Sequence, residues 1–225
     1  MKDATARPPY GLILDMDGVL FDSEPVHARS WEQVVAAFGI TLDADWFTPW
    51  IGIPDVQVAA LFAGRIAGVD APSLLARKHA RFEALTERGI DAFDGVLERL
   101  RALDSQGVPI GVATSSVRSD ASRLLGAMGL TPLLRALVCI EDVARKKPAP
   151  DPYLLAAERM GRAPADCFVI EDSPAGVAAG VAAGCRVLAV TTSFPASALG
   201  AAERVFAGTL TAIRFAAGEP CGAIS

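Results

Sequence analysis

Short apolar runs recur along the chain, and each gives way to a stretch with helical spacing. YGLILD (10–15), VPIGVAT (108–114), ALVCI (136–140), CFVIED (167–172) and RVLAVTT (186–192) are continuous rather than alternating. That pattern predicts parallel strands buried on both faces of a sheet. Between them, Val96, Leu97, Leu100 and Leu103 lead to Gly107, and Leu124, Leu125 and Met128 lead to Gly129. Leu154, Leu155 and Met160 lead to Gly161, while Val177 and Val181 lead to Gly184. Apolar stripes closed by glycine are helix-and-stop signals. Strand and helix in alternation predict an α/β fold with a doubly wound parallel sheet.

One interval lacks strands. From residue 22 to 94 the apolar positions fall only on helical stripes: Trp31, Val34, Val35, Phe38; Val58, Leu61, Phe62, Ile66; Leu75, Phe82, Leu85. A loop of about seventy residues has no place in a compact domain. The pattern therefore predicts a small helical domain over 22–94, inserted into an α/β core made of 1–21 and 95–225.

The chain has 225 residues, 52% hydrophobic and 21% charged, which fits a globular protein with a sizeable core. A net charge of −5 and a pI near 5.1 argue against nucleic acid or an anionic membrane as partner. Cys139, Cys167, Cys185 and Cys221 show no CxxC spacing, and reduced buried thiols are expected. MKDATARPPYG at the start lacks a signal-peptide apolar stretch, and no segment approaches about 18 apolar residues. A cytoplasmic protein, monomeric or a weak homodimer, is the expectation.

Polar chemistry collects where the predicted strands end. Asp15 closes the first, with Asp17 next and Asp22 and Glu24 beyond. Thr114, Ser115 and Ser116 close the second. Arg145, Lys146, Lys147 and PAPD follow the third, and Glu171, Asp172 and Ser173 close the fourth. Taken singly, each has an ordinary explanation as a surface acid pair, a turn, a solvated loop or a helix cap. Open α/β sheets, however, bind ligands beyond the carboxyl ends of their strands. Crowded carboxylates also repel, by about 4 kcal/mol for a pair ~4 Å apart at an effective dielectric near 20. A hard divalent cation among Asp15, Asp17, Glu171 and Asp172 offsets that repulsion, and magnesium suits such an oxygen set. Thr114, the N–H groups of Ser115 and Ser116, and Lys147 are then placed to hold a phosphoryl group. Neither a P-loop nor a GxGxxG turn is present, so the acids themselves become the candidate nucleophile and acid.

In order, DMDGV, the TSS after an apolar strand, KPAPD and EDSPAGVAAGVAAG resemble the four motifs of the haloacid dehalogenase superfamily of phosphohydrolases. DSEPVH after the first motif resembles its β-phosphoglucomutase-like subgroup, with the insert in the place of that subgroup's helical cap. The resemblance implies Asp15 as the nucleophile that forms an aspartyl-phosphate, and Asp17 as general acid and then base. It implies phosphate binding by Thr114 and Lys147. It also implies magnesium held by Asp15, the Asp17 carbonyl and Asp172, with Glu171 a direct or outer partner. The expected activity is magnesium-dependent hydrolysis of a small phosphomonoester, a sugar or polyol phosphate, with a sugar-phosphate mutase as the alternative. The loop WIGIPD (50–55) carries Pro54 and Asp55 where the mutases usually carry a basic residue, which speaks against a second phosphate.

Other residues have two readings. His27, in the expected hinge, either assists cap closure and substrate contact or packs there. Trp46 and Trp50 either stack on substrate or belong to the core. Arg77, Lys78 and His79 read as a solvated helix face, with reach to the cleft as the alternative. A signalling receiver domain also gathers acids, a hydroxyl and a lysine, but it is shorter, carries no helical insert and has adjacent acids after its first strand.

Overall fold

The computed structural model describes residues 8–51, 53 and 55–219. Six parallel strands form one sheet: β1 (Gly11–Leu14), β2 (Ile110–Ala113), β3 (Leu134–Val138), β4 (Cys167–Glu171), β5 (Arg186–Val190) and β6 (Arg204–Phe206). Their order is β3-β2-β1-β4-β5-β6, so the winding reverses between β1 and β4. β6 adds a strand to those the apolar runs predicted. It is three residues long, begins with exposed Arg204, and buries only Phe206. So short an edge strand has no continuous apolar run to announce it.

The helices are α1 (Glu24–Ala36), α2 (Asp55–Ala63), α3 (Ala71–Leu85), α4 (Val96–Ser105), α5 (Arg118–Ala127), α6 (Asp151–Arg159), α7 (Pro174–Ala182) and α8 (Thr209–Ala216). Every residue of β1, β2 and β4 is buried, which explains their uninterrupted apolar sequences. Ile13, Val169 and Val187 pack with Tyr153, Ala156, Val177 and Ala179 of α6 and α7. Leu12, Leu14, Ile170 and Leu188 alternate with that set and are fully buried on the opposite side of the sheet.

The chain divides into two compact units, one running to Asp22 and resuming at Asp91, the other spanning Ser23–Ile90. The outgoing and returning segments of the first unit pair where Phe21 bridges Ala92 and Phe93 N–H donates to the Leu20 carbonyl at 3.0 Å. The second unit consists of α1, α2 and α3 around Trp31, Val35, Val58, Phe62 and Leu74. In α3 the N-cap Asp70 accepts a hydrogen bond from Ser73 N–H at 2.8 Å, satisfying one of the open donors of the first turn.

Cys139 and Cys167 are buried free thiols and Cys185 is a half-buried one; Cys221 lies outside the described residues. Among the described residues no helix is long and apolar enough to cross a membrane.

Candidate active site

The site grows from the point where the sheet reverses. Leu14 is in register with Ile170, and Asp15 N–H donates to the Ile170 carbonyl at 3.0 Å. The Asp15 side chain therefore emerges beside the end of β4, where Glu171 and Asp172 stand. Ligand atoms of Asp15, Glu171 and Asp172 lie within 4.8 Å of one another, and all three residues are buried. On the other side of β1, Thr114 N–H donates to the Val138 carbonyl at 2.9 Å, which anchors the loop after β2.

Lys147 enters this group from the loop before α6. Its Nζ donates to Asp15 Oδ1 at 2.5 Å, to Glu171 Oε1 at 2.7 Å and to the Ala113 carbonyl at 3.0 Å. An ammonium has three donors, so all are engaged with the protein. The Lys147–Pro148 peptide is cis. Lys147 also lies 4.9 Å from the centre of the Tyr153 ring, and the Tyr153 hydroxyl donates to Glu171 Oε1 at 2.7 Å.

Glu171 is saturated with donors. Its Oε2 accepts from the Asp172 N–H and Ser173 N–H, both at 3.0 Å, and from Ser173 Oγ at 2.9 Å. Ser173 also caps α7 by accepting from Gly176 N–H at 3.1 Å. A Cβ at Gly176 would land on the Glu171 carboxylate, so only glycine fits there. Asp17 takes a different partner: its Oδ2 accepts from Ser116 Oγ at 3.0 Å. Ser116 N–H in turn donates to Thr114 Oγ1 at 3.0 Å, while Ser115 is exposed in the same loop.

Burial dominates the electrostatics. It pushes Asp15 well above the usual carboxylate range; the Lys147 charge pulls back, while Glu171 and Asp172 push the same way as burial. Burial and then the Glu171 charge raise Asp172 to about 7. For Glu171 burial also favours the neutral acid, but Lys147, the Tyr153 hydroxyl and the Ser173 N–H outweigh it and hold the group below its ordinary value. Burial disfavours charge on Lys147 too, yet Asp15 and Glu171 prevail and raise its pKa.

The donor set fits a hard cation. Of three buried carboxylates the Lys147 ammonium pairs with two, Asp15 and Glu171, and every available ligand atom is oxygen. Such a cluster is costly unless further positive charge joins it. Gly18 leaves room beside it: its φ is +73°, and a Cβ there would strike the Asp172 carboxylate and Ser193 Oγ.

The structure thus brings Asp15, Thr114, Lys147, Glu171 and Asp172 to adjoining strand ends, with Asp17 tied in through Ser116. Sequence reasoning missed Tyr153 and Ser193. Tyr153 sits in α6 among residues that read as helix core, and Ser193 in a loop of ordinary polar composition.

The remaining candidates lie in the helical unit. His27 stacks on Phe82 with ring centroids 4.4 Å apart. Lys78 Nζ donates to His27 Nδ1 at 2.6 Å and to Asp55 Oδ2 at 2.5 Å, and Trp31 Nε1 donates to Asp55 Oδ1 at 2.8 Å. The expectation of a solvated face is corrected for Lys78, which is 1% exposed. Its position on the Leu74–Phe82 stripe of α3 turns it inward, and Asp55 compensates its charge. Trp46 donates to Glu32 Oε1 at 3.1 Å, and Trp50 packs against this unit's core. Pro54 lies outside the described residues.

Comparison with known proteins agrees with this arrangement. Residues 12–190 match the haloacid dehalogenase-like hydrolase family, and the chain belongs to it. Validoxylamine A 7'-phosphate phosphatase of Streptomyces hygroscopicus subsp. limoneus is 32% identical over 90% of this chain and 95% of its own. Fructose-1-phosphate phosphatase YqaB of Escherichia coli (strain K12) is 34% identical over 77% of this chain and 92% of its own. A haloacid dehalogenase family hydrolase from Deinococcus radiodurans R1, solved with bound phosphate and sodium, superposes with a TM-score of 0.76 at 33% identity. That match covers 95% of this chain and 99% of the other.

Proposed function

We propose that this protein is a magnesium-dependent phosphatase that hydrolyses a small phosphomonoester, a sugar or polyol phosphate, through an aspartyl-phosphate on Asp15. The observation that carries the reading is the meeting of Asp15, Lys147, Glu171 and Asp172 at the reversal point of the sheet. Asp15, Asp172 and the Asp17 main-chain carbonyl are the groups to hold magnesium. When bound, the ion supplies positive charge to the phosphoryl oxygens and offsets repulsion among the acids. Glu171, with both oxygens already engaged by donors, serves better to fix Lys147 than to ligate.

Chemistry then follows from the side chains. An Asp15 oxygen attacks phosphorus, the bond from phosphorus to the substrate oxygen breaks, and Asp17 gives its proton to the leaving alkoxide. Asp17, now ionised, takes a proton from water whose oxygen attacks the same phosphorus. The bond between phosphorus and Asp15 breaks, leaving inorganic phosphate and a regenerated carboxylate. Ser116 keeps Asp17 oriented through its hydrogen bond. Thr114 offers its hydroxyl to the phosphoryl oxygens while its own oxygen accepts from Ser116 N–H. Lys147 neutralises Asp15 before attack, and is free to turn toward the phosphoryl oxygens once that carboxylate is esterified.

Hydrolysis is favoured over isomerisation by the higher identity of the phosphatase relatives, 32% and 34%, against 28% for a β-phosphoglucomutase of Bacillus subtilis (strain 168). So does the described part of loop 50–55, where Asp55 stands bound to Lys78 and no basic side chain is present. A panel of sugar and polyol phosphates, assayed with and without magnesium, tests the reading. Magnesium-dependent release of inorganic phosphate is expected. Robust hydrolysis in excess chelator, or conversion to an isomer without phosphate release, would contradict it.

A further inference from the structure

Ser193 belongs to none of the four motifs. It lies in the loop after β5, two positions beyond Thr191, and its Oγ–H donates to Asp172 Oδ2. The neighbouring Thr192 Oγ1 donates to the Gly18 carbonyl at 2.5 Å. A side chain at Gly18 would collide with the Asp172 carboxylate and with Ser193 Oγ at once. Three segments therefore meet at this point: the turn after β1, the end of β4 and the loop after β5. The last of these supplies no carboxylate, no cation and no phosphate ligand in the proposed chemistry. It supplies two hydroxyl donors, one to a cation-holding acid and one to the backbone beside it.

A carboxylate can rotate about its Cβ–Cγ bond, and rotation changes which oxygen faces a cation. Ser193 holds Oδ2 and so fixes the face that the Asp172 carboxylate would present to a cation. Thr192 ties the same loop to the turn that carries Asp17, so the acid and the turn cannot drift apart independently. Hydrogen bonds that orient a metal-ligating carboxylate typically govern affinity by about 10- to 100-fold.

We propose that Ser193 is a positioning residue of the magnesium site, setting the ion's affinity by fixing the Asp172 carboxylate, with Thr192 bracing its loop against Gly18. The inference rests on the reading of the acidic cluster as a magnesium site. Magnesium binding is measured by isothermal titration calorimetry in the absence of substrate, on the wild type, Ser193→Ala, Ser193→Thr and Asp172→Asn. Ser193→Ala is expected to raise the magnesium Kd by about 10- to 100-fold. Ser193→Thr, which keeps the hydroxyl, should return it to within a few-fold of wild type. The melting temperature of the two metal-free Ser193 variants should stay near that of the wild type, because the serine is only half-buried. Magnesium bound by Ser193→Ala as tightly as by wild type, with binding lost in Asp172→Asn, would overturn the role of Ser193 and leave the metal site standing. No binding by the wild type would overturn both. Should Ser193→Ala fail to fold, Thr192→Val decides: a weaker site supports the bracing loop, and unchanged affinity refutes it.

Discussion

Lys147 holds Asp15 through a 2.5 Å hydrogen bond across 132 residues of chain, and both side chains are buried. Because β1 and β4 are neighbours, Glu171 stands beside Asp15 and gives Lys147 a second anchor at 2.7 Å. In the proposed reaction this pair sets the attacking carboxylate beside its counter-charge before substrate arrives.

Removing that ammonium should damage both catalysis and stability. Lys147→Ala leaves Asp15 and Glu171 buried beside each other without their shared cation. Breaking a buried pair in this way costs about 3–5 kcal/mol. Chemical denaturation should register a loss of that order. Turnover should fall alike for every phosphorylated substrate in a panel. A loss confined to one substrate would move Lys147 to a role in specificity.

Asp15→Asn keeps the shape of the side chain and removes the charge that the proposed attack requires. Turnover is expected to drop by about 10³-fold or more, equivalent to roughly 4 kcal/mol of transition-state stabilisation. Circular dichroism should stay close to wild type. Activity retained near the wild-type rate would exclude Asp15 as the attacking group.

Tyr153 tests the support behind the lysine. Its fully buried hydroxyl donates to Glu171 Oε1, which also accepts from Lys147. Tyr153→Phe removes one charge-assisted hydrogen bond, of a kind that contributes about 1.5–3 kcal/mol. Because Lys147 still occupies that oxygen, the lower end is expected in the denaturation midpoint. The rate should fall in part, well short of the Asp15→Asn loss. Wild-type stability in this variant would show that Glu171 does not depend on the phenol.

The helical unit carries a pH-dependent contribution of its own. Burial favours neutral Asp55, but Lys78, His27 and the Trp31 N–H outweigh it and lower its pKa below the ordinary value. A lowered folded pKa means that the ionised acid stabilises the fold above about pH 4, where the unfolded group is also charged. The contribution disappears as pH falls through the folded value. Asp55→Asn should therefore lower the melting temperature at pH 7, and the gap from wild type should close as the solution is acidified below about pH 4. A gap that persisted unchanged at low pH would assign the stabilisation to packing and not to the charge on Asp55.

Most of the candidate site was legible because parallel strands covered on both faces must be apolar throughout. Asp15, Thr114, Glu171 and Asp172 announce themselves as the first polar residues after such runs, and the rule that α/β sheets bind at those ends supplies the rest. What was not legible depends on partners far apart in sequence. Lys78 sits between Arg77 and His79 and reads as solvated, yet its partners Asp55 and His27 are 23 and 51 positions away. Ser193 lies 21 positions from Asp172, in a segment with no periodicity. Tyr153 shares its helix face with Ala156 and Ala157, so its position signals packing, and nothing local marks its hydroxyl as bound to Glu171. β6 escaped because an edge strand with a single buried residue has almost no apolar signature.

The most direct measurement is acid quench during turnover of a phosphorylated sugar, followed by peptide mass spectrometry. The account predicts a phosphoryl group on the peptide that carries Asp15, formed only with magnesium present and missing in Asp15→Asn. A phosphoryl group on another residue, or steady turnover by Asp15→Asn, would contradict it.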